Sequence, residues 1–269
     1  MIYAGRVWGI AMLSTSALLI QSSFSEEQVH VAPQTLQTSP QSSCNRGTFR
    51  IILDVGHTAE EPGAISARGV PEFAFNLRLA QYVGQQLISA GFAQTEVMIA
   101  AGASFSGLLQ RVKRVNRIAP SLFLSIHHDS VPEAFLETWE YAGVQRHFSD
   151  RFKGHALFIS SENNQFQASL YFARRLGDEL KAQGLQYTSH YTQPLMGKRR
   201  RELLDAKAGV YRFDQLLVLR KTEAPAVLLE AGSIVNRDEE VELGSRERHA
   251  IIGTAITQAV EAFCSSRSS

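Results

Sequence analysis

The chain has 269 residues, of which 44% are hydrophobic and 20% are charged, a composition typical of a globular protein that buries a substantial core. Its 27 basic and 26 acidic side chains leave a formal net charge of +1 at pH 7. This near balance excludes a general electrostatic field that would attract nucleic acid or an anionic membrane, so any polyanion has to be held by a local patch. We therefore expect no nucleic-acid partner.

The first 25 residues have the features of an export signal. Arg6 precedes the apolar stretch VWGIAMLSTSALLI, which is short and interrupted for a bilayer span, and the small residues Ser23 and Ser25 lie just before Glu26. The alternative is an uncleaved N-terminal anchor, because the apolar stretch is long for a signal and the small residues do not form an A-x-A site. Both interpretations place the body of the protein outside the cytoplasm, in the periplasm or outside the cell, and removal of a signal would leave it without a stable membrane span.

The segment after this signal differs in composition from the rest of the chain. Residues 26–46, EEQVHVAPQTLQTSPQSSCNR, are rich in Gln, Ser, Thr and Pro, and this composition predicts a flexible linker. Residues 47–265 are then predicted to form the folded domain. Cys44 and Cys264 flank almost all of it, and in an oxidising compartment they could form a disulfide; two unrelated thiols are an equal alternative.

From residue 49 onward, buried strands alternate with amphipathic helices. A strand is predicted near residues 49–54, followed by a helix that ends at Gly91 and has apolar residues at helical spacing. These apolar residues are Phe73, Leu77, Ala80, Val83 and Leu87. Further strands are predicted in EVMIA, LFLSIHHDS, GHALFIS and APAVLLEAGS, and further helices in SGLLQRVKRVNRIA, FQASLYFARRLGDELKAQG and SRERHAIIGTAITQAVEAFC. This alternation predicts a single α/β domain, with a mostly parallel twisted sheet and helices on both faces.

Two stretches interrupt the alternation. Residues 131–153, VPEAFLETWEYAGVQRHFSDRFK, follow the strand LFLSIHHDS directly, at the edge of the sheet where open α/β folds bind ligands. Long loops at this edge are usually lids or substrate clamps. Residues 185–218 contain the basic run GKRRRELL, for which a solvated helix face is the favoured interpretation and an anion site the alternative.

Three of the predicted strands end in side chains that can bind a metal or transfer a proton. His57 follows IILDVG, His127 follows LFLSI and Glu230 follows AVLL, while Glu72 opens the first helix at the same edge of the sheet. Parallel strands bring these ends together. Two imidazoles and one carboxylate are the ligand set of a hydrolytic zinc site, and a second carboxylate beside them can act as a base.

Each of these residues also has a purely structural interpretation. A single histidine at the end of a strand is more often a hydrogen-bonded edge residue, and a glutamate that opens a helix stabilises the helix dipole. Glu230 is harder to explain in this way, because an ionised carboxylate after four apolar residues is costly without a cation or several donors. Asp54 and Asp129 could orient a ligand imidazole, or could form only structural hydrogen bonds.

Four segments of the chain, ILDVGHTAEEPGA, EFAFNLRLA, LFLSIHHDS and PAVLLEAGSIVNRDEE, resemble the signature blocks of a known family. This family comprises the zinc-dependent N-acetylmuramoyl-L-alanine amidases of bacterial cell walls, whose blocks read approximately DPGHGG-x-DPGA, E-K-D-x-N-L, SIHAD and PSVLVE-x-GF-x-SN-x-x-E. The resemblance covers roughly residues 49–263, with the blocks in the right order and at the right intervals. It implies hydrolysis of the amide bond between N-acetylmuramic acid and L-alanine in peptidoglycan, with one Zn²⁺ per chain.

The resemblance also implies a role for each candidate residue. His57, Glu72 and His127 fall on the zinc ligands of the family, and Glu230 falls on its catalytic carboxylate. Neighbouring strand residues point to opposite faces, so only one residue of the pair His127 and His128 can face the metal, and the block alignment favours His127. The chain differs from the blocks at several positions, and none of these differences removes a metal ligand or a proton-transfer group. We therefore expect them to affect loop shape and substrate fit. These positions include Val55, Thr58, Ala59, His128 and Ala231.

Two other functions are compatible with parts of this pattern. A zinc peptidase that cleaves within the peptide stem of peptidoglycan has the same ligand set and differs only in the bond it cleaves. A non-catalytic wall-binding or regulatory module on the same fold is expected to have lost at least one of the four groups, and none is lost. We also expect the protein to be a monomer.

Residues 131–153 allow two interpretations. Some family members have an inserted helix at this place, which covers the metal with a glutamate until a partner protein displaces it. Glu133, Glu137 and Glu140 are spaced i, i+4 and i+7, so a helix would present all three on one face, and an activator protein could act there. The favoured alternative is an aromatic wall of the substrate groove, for which the segment supplies Phe135, Trp139 and Tyr141.

Overall fold

The structure of the protein is a computed structural model that describes residues 44–102 and 104–267. The expected signal in residues 1–25 and most of the expected linker in residues 26–46 lie outside the described residues. Within the described ranges, no helix is both long and apolar enough to cross a membrane.

The described residues form one large sheet, a separate two-stranded hairpin, and helices. The sheet strands are β1 (Ile51–Val55), β2 (Thr95–Met98), β3 (Leu122–Asp129), β6 (Ala156–Ile159), β7 (Glu202–Asp205), β8 (Val210–Arg212) and β9 (Ala226–Ser233), and the hairpin strands are β4 (Glu137–Tyr141) and β5 (Val144–Phe148). The helices are α1 (Glu72–Ser89), α2 (Ser104–Ile118), α3 (Phe166–Ala182), α4 (Leu217–Lys221), α5 (Arg237–Leu243) and α6 (Arg246–Ser266). Short 3₁₀ segments span Glu133–Phe135, His190–Thr192 and Pro194–Arg199.

The sheet has seven strands in the order β2-β1-β3-β9-β6-β8-β7. Its strands are parallel from β2 to β9 and again between β6 and β8, and antiparallel where β9 meets β6 and where β8 meets β7. Helices α1, α3 and α6 cover one face, where Leu79, Phe172 and Ile256 are buried, and α2 and α4 cover the other, where Val115 and Leu219 are buried. The predicted α/β fold with a mostly parallel sheet between two helical layers is confirmed.

Helix α1 brings Glu72 to the carboxyl edge of the sheet. The helix starts at Glu72 directly after Pro71, and Gly91, with a φ of +94°, follows its end, as the glycine predicted. Its fully buried face is formed by Phe75, Leu79, Ala80, Val83 and Leu87. Phe73 and Leu77, which the periodicity placed in the core, lie at the margin of this face and are only partly buried.

Of the two interpretations of residues 131–153, the inserted helix is wrong, because the segment forms the hairpin β4-β5. Ala142 and Gly143 connect the two strands with φ values of +51° and +75°, and two consecutive positive φ angles are typical of a tight hairpin turn. Glu133 lies in a 3₁₀ segment, whereas Glu137 and Glu140 lie on opposite faces of β4. The three glutamates therefore do not share a face.

The basic run GKRRRELL does not form a solvated helix face either. Its first residues end the 3₁₀ segment Pro194–Arg199, where Gly197 has a φ of +51° and breaks the helical path. The run then continues into the edge strand β7, which pairs with β8. Its arginines consequently point in different directions instead of lining one helix surface.

Cys44 and Cys264 form a disulfide that connects the segment before β1 to helix α6, with a Cα–Cα distance of 5.2 Å. The bridge closes a loop with a sequence separation of 220 residues, so it strongly restricts the unfolded chain. This decides between the two alternatives for the cysteine pair.

We expect the double variant Cys44→Ser/Cys264→Ser to lose about 2–5 kcal/mol of unfolding free energy, since native disulfides typically contribute this amount. Equilibrium denaturation of the oxidised wild type and of the variant measures the difference. Wild-type protein unfolded in the presence of a reductant serves as the control, and it should match the variant. Equal midpoints for all three samples would show that the bridge does not stabilise the domain.

Candidate metal centre

The three candidate ligands converge at the carboxyl edge of β1 and β3. One ligand atom from each of His57, Glu72 and His127 lies within 4.8 Å of the others. The Glu72 carboxylate lies between the imidazoles: its Oε2 is 3.0 Å from His57 Nε2 and its Oε1 is 3.1 Å from His127 Nδ1. The Glu72 side chain is 6% exposed, whereas those of His57 and His127 are 34% and 17% exposed, so the cluster opens to solvent on its imidazole side.

His57 is held in place through its backbone. It has a φ of +65°, which is uncommon for a residue other than glycine. The buried guanidinium of Arg111 in α2 donates hydrogen bonds to the carbonyl oxygens of Val55 and His57, at 3.1 and 3.0 Å, and to Asp54 Oδ2 at 2.9 Å. Asp54 also accepts a 2.7 Å hydrogen bond from Ser125 Oγ. Asp54 therefore holds Arg111, and through Arg111 the loop after β1. Among the described contacts, it forms no hydrogen bond with a ligand imidazole.

Two glycines leave the space that the ligand side chains occupy. A Cβ atom at Gly56 would lie 2.4 Å from the ring of His127. A Cβ atom at Gly63 would lie 2.6 Å from Glu72 Oε2 and 2.7 Å from His57 Cδ2, and Gly63 also has a φ of +78°. Any side chain at either position would push the ligands apart. Only glycine therefore leaves enough space at these two positions for the ligand side chains.

Glu72 is kept ionised by its partners. Burial raises its pKa, but hydrogen bonds from His127 and His57 and the charges of both rings outweigh this effect, so the pKa of the carboxyl lies well below its ordinary value. The backbone N–H of Ala64 and the Asn76 side chain also donate to its oxygens, each at 3.2 Å. The carboxylate is thus oriented from several sides before any ligand binds.

His128 points away from the cluster, towards helix α1. Its Nδ1 lies 2.7 Å from Asn76 Oδ1, and burial lowers the pKa of His128 to about 3, so the ring is neutral. The Asn76 amide nitrogen donates to Gly56 O and to Glu72, which leaves its oxygen to accept from His128 Nδ1–H. Sequence reasoning missed Asn76, although its position four residues after Glu72 places both side chains on one helix face.

Glu230 faces the same side of the sheet as His127, because the two residues are direct neighbours in the parallel pairing of β3 and β9. Its side chain is partly exposed, and its Oε2 is buried without a hydrogen-bond partner among the described residues. Burial, together with the nearby charges of Asp129 and Glu72, raises the pKa of Glu230 well above its ordinary value. A buried carboxylate oxygen beside a possible metal site is well placed to accept a proton.

Asp129 is part of a buried network at the end of β3. Tyr191 Oη donates a 2.7 Å hydrogen bond to Asp129 Oδ1, and His190 Nε2 lies 3.4 Å from Oδ2. Arg199 Nη2 donates to Ser130 O at 2.8 Å and lies 3.5 Å from Asp129 Oδ1. Burial raises the pKa of Asp129 to about 7 and lowers that of His190 to about 4. Sequence reasoning missed Tyr191 and Arg199; the only signal for either was the basic run, read as a possible anion site.

A groove of about 410 Å³ adjoins the cluster. It starts at Ala64, whose N–H binds Glu72, and runs between the loop after β1 and the hairpin. Val131, Leu136 and Val235 give it an apolar floor, and Arg146 on β5 contributes to a polar rim. The groove can hold a substrate that has both apolar and hydrogen-bonding surfaces.

Comparison with known proteins identifies relatives of the whole domain. Residues 51–262 match the family model described as N-acetylmuramoyl-L-alanine amidase. The chain is 23% identical over 273 residues to the N-acetylmuramoyl-L-alanine amidase AmiA of Escherichia coli, an alignment that covers 95% of this chain and 89% of that protein.

Solved structures share the fold. The amidase Ami1 from Mycobacterium smegmatis superposes with a TM-score of 0.62 at 19% identity, covering 82% of this chain and 99% of that one. The CwlD amidase from Clostridioides difficile, solved in complex with the GerS lipoprotein, gives a TM-score of 0.58 at 19% identity and covers 81% of this chain and 98% of that one.

Proposed function

The chain belongs to the N-acetylmuramoyl-L-alanine amidase family, and we propose that it hydrolyses the amide bond between the lactyl group of N-acetylmuramic acid and L-alanine in peptidoglycan, with zinc as its cofactor. The observation that carries this proposal is the convergence of His57, Glu72 and His127 with Glu230 beside them. The family membership confirms the resemblance noted in the sequence blocks, and it supports an amidase acting on peptidoglycan.

The donor set fits one zinc ion. One imidazole nitrogen of His57, one of His127 and one oxygen of Glu72 would hold it, and three protein ligands with an open position are typical of catalytic zinc sites. The tight packing of Gly56 and Gly63 against these side chains fits a preformed site. When bound there, zinc supplies Lewis-acid chemistry that polarises a carbonyl group and lowers the pKa of water.

Glu230 would carry the proton transfers. Its buried and unpartnered Oε2 accepts a proton from the attacking water, and the same carboxyl returns the proton to the amine of L-alanine as the C–N bond breaks. The raised pKa of Glu230 suits both steps, because a carboxyl that is only weakly acidic is a better base when ionised and still able to donate.

Digestion of purified cell wall, followed by identification of the new ends, tests the proposed bond. An amidase releases free amino termini of L-alanine and leaves intact muramic acid. New termini within the peptide stem would instead identify a zinc peptidase, and no new ends would identify a wall-binding module without turnover.

We propose that the protein acts outside the cytoplasm, with residues 1–25 as a signal peptide, residues 26–46 as a linker and residues 47–265 as the catalytic domain. Peptidoglycan lies in that compartment, and the disulfide between Cys44 and Cys264 is of the kind that persists where the environment is oxidising. We also propose that the protein is a monomer. Measurement of its native molecular mass by light scattering tests this expectation.

We propose that the hairpin β4-β5 forms a wall of the substrate groove. Trp139 Nε1 donates a 2.9 Å hydrogen bond to Ala67 O, and the guanidinium of Arg68 lies 5.5 Å from the centre of the Trp139 ring, so the hairpin is anchored to the loop after β1. CwlD of Clostridioides difficile was solved with the GerS lipoprotein bound. If the present protein also has an activator, residues 131–153 are the surface on which we propose it acts, because they border the groove.

We expect replacement of residues 137–148 by two glycines to lower wall hydrolysis about tenfold through weaker substrate binding, the equivalent of ~1.4 kcal/mol. The link can be short because Glu137 and Phe148 are paired neighbours at the base of the hairpin. Zinc content and the unfolding midpoint control for damage to the domain. A shortened protein that hydrolyses wall faster than the wild type would show that the hairpin is an inhibitory lid.

A further inference from the structure

One arginine of the basic run turns towards the metal centre, while its neighbours do not. Arg199 donates to Ser130 O, three residues after His127 in the chain. Arg200 instead donates from Nε to Thr192 O at 3.0 Å, and Arg201 lies over the ring of Phe213 at 3.9 Å. The break at Gly197 thus places a single guanidinium of the run at the rim of the site.

The guanidinium of Arg199 is fixed at one edge and free at the other. Both hydrogen bonds found for it in the described part of the chain use Nη2, towards Ser130 O and Asp129 Oδ1. Its side chain remains 38% exposed, whereas the Asp129 side chain is 2% exposed. A guanidinium carries five N–H donors, so the donors on Nη1 and Nε are available to a ligand at this rim.

The surroundings of this free edge are acidic. Glu72, Asp129 and Glu230 all lie at the same end of the sheet, and the charge of Arg199 acts on Asp129 and on Glu230. Each of these carboxyl groups, when it is ionised, repels an anionic substrate group from the rim. Arg199 offsets this repulsion and offers the planar donor pair that carboxylates bind best.

We propose that Arg199 is a specificity-determining residue that binds a carboxylate of the peptide stem, on the amine side of the bond that is cleaved. The inference rests on the proposed function, because it places the stem of peptidoglycan at the metal centre. In the stem, L-alanine is followed by a glutamate that continues the peptide through its side-chain carboxyl group. The α-carboxyl group of this glutamate therefore lies outside the chain, and it is either free or amidated. Arg199 selects the free carboxylate over the neutral amide.

A pair of synthetic muramoyl tripeptides that differ only in this group, carboxylate or amide, tests the proposal. The wild type is expected to cleave the carboxylate form with about tenfold higher kcat/KM, in the range of a partly exposed charge-assisted hydrogen bond. Arg199→Gln should abolish the preference by slowing only the carboxylate form, and Arg199→Lys should keep part of it. Arg200→Gln, which removes a charge from the adjacent residue, should keep the preference unchanged.

The outcomes separate a binding role from a structural one. If Arg199 only neutralises Asp129, Arg199→Gln will slow both substrates equally, or will shift zinc content or the unfolding midpoint, and the proposal is overturned. A wild type that cleaves both tripeptides with equal kcat/KM overturns it as well. Calorimetric binding of both tripeptides to Glu230→Gln and to Glu230→Gln/Arg199→Gln gives a readout independent of cleavage. A carboxylate preference in this binding, together with a wild type that does not cleave the muramoyl bond, would refute the proposed function and leave the role of Arg199 intact.

Discussion

The variant Glu230→Gln is expected to bind zinc and cell-wall material nearly as the wild type does, but to hydrolyse the wall at least about a hundredfold more slowly. The size of the loss follows from the contribution of general acid–base catalysis, typically about 10²–10⁴ in rate. Glutamine keeps the shape of the side chain and cannot accept the proton. No hydrogen bond joins Glu230 to His57, Glu72 or His127 in the described part of the chain, so the exchange should leave the cluster unaltered.

Release of soluble muropeptides measures the rate, and metal analysis and wall pull-down measure the two kinds of binding. Glu247→Gln is a matched control, because it makes the same exchange at an exposed position in the first turn of α6. Activity of the Glu230 variant within a few-fold of the control would rule out the assigned role. Loss of zinc from this variant would instead mean that Glu230 holds the metal.

The convergence of the candidate residues could be predicted because it depends on topology alone. β1, β3 and β9 are runs of buried residues, which is typical of parallel strands covered on both faces, and such strands end at one edge. His57 lies two residues after β1, whereas His127 and Glu230 lie within β3 and β9, towards the carboxyl ends of these strands. The alternation of side chains along a strand predicted that His127 and His128 face opposite ways, and the resemblance to the family blocks favoured His127 for the metal.

The parts that sequence reasoning missed depend on contacts between distant segments. The glutamates of residues 131–153 fit a helical spacing, but the turn at Ala142 and Gly143 decides for a hairpin, and its sequence is not one of the strongest turn signals. Tyr191 and Arg199 lie on irregular 3₁₀ segments, where no periodicity indicates which side chains turn inward. Their positions are set by the buried carboxylate of Asp129, which only the folded chain provides.

The two adjacent histidines of β3 provide the second large effect. His127→Ala is expected to abolish both stoichiometric zinc binding and wall hydrolysis, since His127 supplies one of the three ligand atoms of the cluster. His128→Ala is expected to weaken zinc binding by only about 10–100-fold, the usual effect of residues that orient a metal ligand. His128 acts in this way through Asn76, which also donates to Glu72.

Competition with a chromogenic chelator measures the zinc affinity of both variants. The activity of each variant in excess zinc distinguishes them further. His128→Ala should recover most of its activity when zinc is added, because its three ligand atoms are intact, whereas His127→Ala should recover none. Thermal unfolding of both apo-proteins controls for stability, because His128 is buried against Phe75 and its removal leaves a cavity. Full zinc occupancy in His127→Ala, together with loss of zinc in His128→Ala, would assign the metal to the other histidine and to the opposite face of β3.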